Sequence, residues 1–481
     1  MNSDSARSAS LSGTARSALP AFQTPALPQA DRRRWVALGF IAVAQLMIAL
    51  DATIVSIALP SAQRGLGASD ADRQWVITAY TLAFGGLLLL GGRLADSLGR
   101  KRAFLIGLFG FALASVAGGA APNFAVLVAA RALQGGFAAL LAPTALSLLA
   151  VTFTQAKERA TAFAVYGSIA GSGAAIGMVL GGVLTQYVGW RWCLFVNLPI
   201  ALAAAVGGWF VVPGSSGRRV GAIDLLGVVL AGAGLVLLVE GQFVASAAVL
   251  VLFVIREATA ADPLLPLRVV TDRVRGGAYL SVGLALAGMF GAYLFLTYYL
   301  QAVLHYTPLQ AGFAFLPITV GSQAASWLIA RRLMPLVPPR WLMAPGGVAA
   351  AAALTLLTQL HVDSSYLVGV LPAELLLGAG LSTMMVPAFS TATRGVDGRQ
   401  AGVAAAVVNA TQQVGASLGT ALLNSIAVAA TVAFSGPRPE ALVHGFAQAT
   451  AWGAAIMLLA ALVAAVLINA PRPGPTSDSR A

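Results

Sequence analysis

The sequence predicts an all-α polytopic membrane protein of about fourteen spans. Three observations carry that prediction. First, of 481 residues 58% are hydrophobic and only 10% are charged, whereas a soluble domain needs about 25% charged residues to build its surface. Second, runs such as WVALGFIAVAQLMIALDATIVSIAL (35–59) and AWGAAIMLLAALVAAVLINA (451–470) reach the roughly 20 apolar residues that cross hydrocarbon. Third, basic residues recur on alternate loops. They occupy Arg32–Arg34, GRKR (99–102), QAKER (155–159), Arg218/Arg219, the 256–276 stretch, ARRLMPLVPPR (330–340), RGVDGRQ (394–400) and the tail from Pro471. The intervening loops, such as AAPN (120–123) and LQAVLHYTPLQ (300–310), carry few or none. That alternation is the positive-inside rule, and it puts both termini in the cytoplasm. The net charge of +12 is therefore topological, and no nucleic-acid partner is expected.

Residues 1–34 begin as a Ser-, Ala- and Pro-rich stretch without an apolar core, which reads as a disordered cytoplasmic tail. The apolar runs then fall at 35–59, 74–94, 103–121, 124–152, 160–184 and 190–212, which make a first group of six spans over 35–212. A linker over 213–275 contains two extra runs, 222–240 and 242–256. The second of these is short, but basic residues at both ends of the linker demand an even number of crossings, so a tight hairpin is expected. Runs at 276–300, 308–330, 342–361, 366–390, 402–434 and 445–469 form a second group of six over 276–469, followed by a tail over 470–481. Cys193 is the single cysteine, so no disulfide framework exists. Among the 29 basic residues only Lys101 and Lys157 are lysines; with abundant alanine, this reads as a GC-rich bacterial genome.

Catalytic and metal chemistry find no support. His305, His361 and His444 make no ligand spacing, and no G-x-x-x-x-G-K-[ST] phosphate loop is present. Neither an enzyme nor direct ATP drive is expected, and no cofactor or metal is implied.

Charges inside the spans are few, so each is informative. Asp51 lies eight residues from the outer end of the first span, about 12 Å at 1.5 Å per residue. Arg131 lies at a matching depth in the fourth. An acid and a base at one depth can pair, which lowers the cost of each in hydrocarbon. Protonation or substrate would then break the pair and couple two gradients; a static structural pair is the alternative. Glu374 enters the twelfth span at a comparable depth. Aligning RALQGGFAALLAP on ELLLGAGLSTMMVP sets it within a residue of Arg131. Proton coupling and simple snorkelling are both open for it. In the thirteenth span Asn409, Gln413, Ser417, Thr420 and Asn424 recur at helical spacing, so one polar face should meet a cavity or another helix. Tyr80, Phe290, Tyr293 and Tyr298 would suit a broad apolar substrate.

Sequence motifs narrow the assignment. GGRLADSLGRKR (91–102) sets Gly92, Asp96, Gly99 and Arg100 at the end of the second span and in a tight turn. This stretch resembles the signature loop of the major facilitator superfamily. LDATIVSIALP (50–60), RALQGGFAALLAP (131–143), GSGAAIGMVLGG (171–182) and WRWCLFVNLP (190–199) resemble motifs of its fourteen-helix drug:proton antiporter branch. Two departures stand out: Ser56 replaces the usual asparagine, and Met178 replaces the proline of the antiporter motif, whose Gly173, Gly177, Gly181 and Gly182 are in place.

The resemblance implies two six-helix bundles with two extra central helices, a cytoplasmic gate at Gly92, Asp96, Gly99 and Arg100, and alternating access. It implies proton-coupled efflux of small amphipathic drugs or antibiotics across the cell membrane, by a monomer embedded in the bilayer and driven by the proton gradient. A porter for an endogenous metabolite would share the scaffold.

Overall fold

A computed structural model describes residues 29–153, 155–212, 224–240, 242–260, 270–334, 336–392 and 401–469. The expected N-terminal tail up to residue 28, most of the linker's flanks and the C-terminal tail lie outside them. Among the described residues there are helices and no strands. Helices α1 (Gln29–Leu66), α2 (Trp75–Leu98), α3 (Arg100–Gly119), α4 (Phe124–Thr152) and α5 (Ala156–Tyr187) are followed by the short α6 (Trp192–Phe195) and α7 (Asn197–Val211). Two shorter helices come next, α8 (Leu225–Val239) and α9 (Phe243–Thr259). The second half holds α10 (Arg273–Tyr298), α11 (Pro308–Ala314), α12 (Leu316–Leu328), α13 (Arg340–Leu357), α14 (Leu371–Ala392), α15 (Ala401–Ala433) and α16 (Arg438–Leu467). Short π-helical turns extend α10 over Tyr299–Val303, follow α12 over Ile329–Leu333 and precede α14 over Tyr366–Val370.

Ten of the described helical segments are long and apolar enough to cross a membrane. The expected count of fourteen is not reached by that criterion. One reason is plain in α8: its 15 residues rise only about 22 Å at 1.5 Å each, against a hydrocarbon core of about 30 Å. The outward faces carry large apolar side chains that water would not tolerate in such number: Leu113, Trp209, Phe210 and Val432 are all more than half exposed. This is a multi-pass membrane protein.

Local chemistry sets the helix ends. Asn123 caps α4 by accepting from the Val126 amide at 3.0 Å. Thr307 and Gln310 form a reciprocal capping box around Pro308, the first residue of α11. Gly99, at φ +87°, is the single residue between α2 and α3, a conformation that L side chains rarely adopt.

Packing divides the long helices into two groups. In the first, α2 lies on α4, α1 on α5 and α7, and α3 on α4 and α7. In the second, α13 lies on α14 and α16, α10 on α15 and α16, and α12 on α14. The groups meet along two seams, α2 with α15 and α5 with α11. Between them in sequence, α8 and α9 form an antiparallel hairpin. Ser246 donates to the Gly234 carbonyl at 2.8 Å, and Arg256 donates to Asp224 at 3.0 Å across the open end. The hairpin rests on α2 and α15 through α8.

Candidate functional site

Asp51 and Arg131 meet. Arg131 Nη1 donates to Asp51 Oδ2 at 2.6 Å, and neither side chain is more than about 2% exposed. The pair is the centre of a larger network that sequence reasoning missed. Asn197 Nδ2 donates to Asp51 Oδ1 at 2.7 Å, and Gln134 Nε2 donates to the same oxygen at 3.2 Å. Gln134 also accepts from Arg131 at 2.9 Å. Ser115 Oγ accepts from Gln134 at 2.7 Å and from Asn197 at 2.8 Å, and passes its own hydrogen to the Leu194 carbonyl at 3.0 Å. Arg131 Nε donates to the Val76 carbonyl at 3.1 Å, and its guanidinium lies 4.3 Å from the centre of the Tyr80 ring.

Six helices, α1 to α4, α6 and α7, with α2 contributing both a carbonyl and an aromatic face, are thus tied to one carboxylate. Three donors converge on Asp51, which satisfies it as an anion; Arg131 in turn has a carboxylate, an amide, a carbonyl and a ring. A charge pair this deep is stable only when its remaining polar valences are filled in this way.

Glu374 stands apart. It is fully buried in α14, and no hydrogen bond or ion pair joins it to the Asp51 network among the described residues. Its Oε2 lies 3.1 Å from the Tyr366 hydroxyl, which itself lies 2.7 Å from the Ala314 carbonyl at the α11–α12 junction. Its Oε1 has no hydrogen-bond partner. Nearby aromatics form a group: Tyr293 stacks on Phe315 at 5.4 Å, and Phe290 lies 6.3 Å from Tyr293.

The glycines of the fifth-helix motif divide between two neighbours. A Cβ at Gly173 would stand 2.8 Å from Ala49 Cβ; at Gly177, 2.8 Å from the Leu50 carbonyl oxygen; at Gly181, 2.8 Å from that of Ile54. These three let α1 and α5 touch backbone to backbone. Gly182 faces the other group, where a Cβ would meet the Pro308 oxygen at 2.6 Å, and Gly312 of α11 faces the Met178 oxygen in return. Met178 is buried, and α5 runs through it as one helix.

In the signature loop, Gly99 needs its freedom but Gly92 does not: a Cβ there would find only Pro143 at 3.9 Å. Its neighbour Gly91 is the close contact, against the Ala139 backbone of α4. Arg100 starts α3. The side chain of Asp96 lies outside the described residues.

The polar stripe of α15 meets the first group of helices at two points. A Cβ at Gly85 of α2 would stand 2.8 Å from Gln413 Cβ. Asn424 accepts from Arg73 Nε at 3.1 Å and donates to the Asp70 carbonyl at 3.2 Å. Ser417 is buried with its hydroxyl unpartnered, Thr420 bonds back to the Ala416 carbonyl, and Asn409 is half-buried.

Arg73 was not foreseen. It is buried, with its guanidinium 4.0 Å from the Tyr298 ring centre. With Gln63 accepting from Tyr298 and Gln301 donating to the Ile57 carbonyl at 3.0 Å, it closes the two groups on each other at the α1–α2 loop end.

A model of the Major Facilitator Superfamily matches residues 41–420. The chain belongs to the major facilitator superfamily. It is a transporter of this superfamily and not an enzyme. It is 49% identical over 477 residues to the puromycin resistance protein pur8 of Streptomyces alboniger, covering 94% of this chain and 95% of that one. It is 37% identical to the cephamycin export protein CmcT of Amycolatopsis lactamdurans, covering 91% and 93%. The superfamily fold is also seen in solved structures. A bacterial homologue of the human lysosomal transporter Spinster, in an inward-facing and unoccupied conformation, matches with a TM-score of 0.66 at 14% identity over 91% of this chain and 97% of that one. The human organic anion transporter MFSD10 matches with 0.60 at 16%, over 91% and 100%.

Proposed function

We propose that this protein is a proton-coupled exporter of amphipathic drugs or antibiotics, working as a monomer in the bacterial cell membrane with both termini in the cytoplasm. The observation that carries the reading is the buried Asp51–Arg131 pair at 2.6 Å. Its relatives in antibiotic resistance and export support the substrate class.

The geometry gives the coupling a route. A proton on Asp51 removes the charge that Arg131 faces, while Arg131 keeps the Val76 carbonyl, Gln134 and the Tyr80 ring. The tie between α1 and α4 weakens. Because α1 rests on α5 through bare backbone, and α5 on α11, a shift of α1 is handed to the second group of helices. By the basic-loop orientation, the Arg73 cluster closes the outer side, so release of substrate requires that cluster to part. The gradient is the energy source, and no cofactor takes part.

The test uses puromycin and purified protein in proteoliposomes. Wild type should move protons against puromycin. Asp51→Asn should bind puromycin but fail to concentrate it, since an amide keeps volume and hydrogen bonds yet cannot ionise. Unchanged proton movement in the Asn variant would make Asp51 structural. Susceptibility of an expressing strain unchanged from the empty vector would favour a porter for an endogenous metabolite.

A further inference from the structure

We propose that Glu374 is a second proton-carrying site, in the group of helices that lacks Asp51, and that it holds its proton in the very conformation in which Asp51 is ionised. The inference rests on the proton-coupled reading above for its role, but not for its chemistry.

The hydrogen count carries it. The Tyr366 hydroxyl has one hydrogen and two oxygens within reach, the Ala314 carbonyl at 2.7 Å and Glu374 Oε2 at 3.1 Å. The carbonyl can only accept, so the shorter contact takes the hydroxyl's hydrogen. An ionised Glu374 has no hydrogen either, and would then set its lone pairs against those of the Tyr366 oxygen. If Glu374 is protonated and donates to Tyr366, every contact contains a hydrogen.

Charge balance agrees. Glu374 is fully buried, and no cation pairs with it among the described residues. Helix α12 has no titratable side chain, and α13 has only Arg340, at its first residue. Glu374 is the sole titratable residue of α14. From α10, Tyr293 is the titratable group that senses it, and Tyr366 is the other; neither supplies positive charge. A lone carboxylate there would be a buried charge with no cation to offset it, and such a group neutralises. Asp51, by contrast, has three donors, one of them an arginine. Two acids at similar depth in the two groups of helices are therefore held in opposite protonation states at once.

In the cycle, Glu374 gives up its proton when the Tyr366–Ala314 contact opens to water: the carboxyl O–H breaks, water takes the proton, and the electron pair stays on the carboxylate. The return step reloads it. With both acids titrating, each substrate is exchanged for two protons.

The experiment is infrared difference spectroscopy on the full-length protein in lipid at neutral pH, without substrate. A protonated-carboxyl C=O band should be present in wild type, absent in Glu374→Gln and retained in Asp51→Asn. Tyr366→Phe keeps the acid but removes its acceptor, so the band should persist at a shifted frequency; this variant decides the matter if Glu374→Gln fails to fold. A band that survives Glu374→Gln, or that Tyr366→Phe leaves unmoved, overturns the assignment. A band that neither alkaline pH nor puromycin diminishes overturns the carrier role. Proton movement driven by puromycin then reads the stoichiometry, with loss of one of two protons expected in Glu374→Gln. If wild type moves no protons with puromycin, the coupling reading fails, while the band still decides the protonation of Glu374.

Discussion

Asn197 Nδ2 and Arg131 Nη1 approach opposite oxygens of one carboxylate, at 2.7 Å from Asp51 Oδ1 and 2.6 Å from Asp51 Oδ2. The amide thus orients the acid for the cation. Asn197→Ala should leave Asp51 with Gln134 alone on that oxygen, costing about 1–3 kcal/mol for a buried polar group short of a partner. Transport should persist with its pH profile displaced, since the ionised acid is less well held. An unmoved profile at equal membrane abundance would show that Asn197 only fills space.

Met178 offers a cleaner test of α5. A proline at 178 removes the amide that a helix aims at the carbonyl of residue 174. Here the Ala174 carbonyl is the nearest of three carbonyls within reach of Thr53 Oγ1, at 3.1 Å against 3.2 Å for Leu50 and 3.3 Å for Ala49, so the Thr53 hydroxyl can satisfy it. Met178→Pro should be tolerated in wild type, consistent with proline's acceptance where neighbours re-satisfy the backbone. In a Thr53→Val background it should cost more than the two changes do separately. Additive losses of thermal stability would remove Thr53 from the account.

At the Arg73 cluster, Arg73→Ala deletes the ring contact with Tyr298 and the bond to Asn424. The α1–α2 loop end should then be open for a larger share of time. Paired cysteines placed at Ile57 and Gln301, which meet across the same seam and leave Arg73, Tyr298 and Asn424 in place, would cross-link less in the Ala variant, in a background otherwise free of cysteine. Equal cross-linking would mean that the cluster does not hold this end shut.

The hairpin has its own pH dependence. Asp224, at the cap of α8, is held below the usual carboxylate range, first by the Gly227 amide and further by Arg256, against the opposing effect of its burial. Its folded-state pKa is lowered, so its contribution is present above about pH 4, where the unfolded carboxyl is ionised, and is lost as pH falls through the folded value. The pair with the part-exposed Arg256 is worth little by itself, about 0–1 kcal/mol. Protection of the α8 amides, taken against the intrinsic exchange rate at each pH, should therefore fall on acidification in wild type but change little in Asp224→Asn. Equal acid sensitivity in both would refute the cap.

How much of this was legible depended on how rare each signal is in an apolar chain. Asp51, Arg131 and Glu374 stand out because charge within a span is costly. Ser115, Gln134 and Asn197 did not, since uncharged polar residues scatter through spans and only the fold shows which of them converge. Arg73 was hidden for the opposite reason: it lies in a loop, where arginine is ordinary, and nothing local says that Tyr298 and Asn424 will enclose it. Gly91 and Gly92 were indistinguishable in sequence, because the choice between them depends on which side of α2 faces α4. The span count suffered from α8, whose composition is apolar but whose 15 residues fall short of a full crossing.

The reciprocal glycines Gly182 and Gly312 have a bearing on how such a chain can diversify. Each receives the other helix's main chain, so this contact between the two groups is written in atoms common to every residue. Side chains that meet the cargo can drift under selection without unsettling the seat of one helix on the other. A lineage could change its substrate by altering the side chains that meet it, and inherit this contact intact.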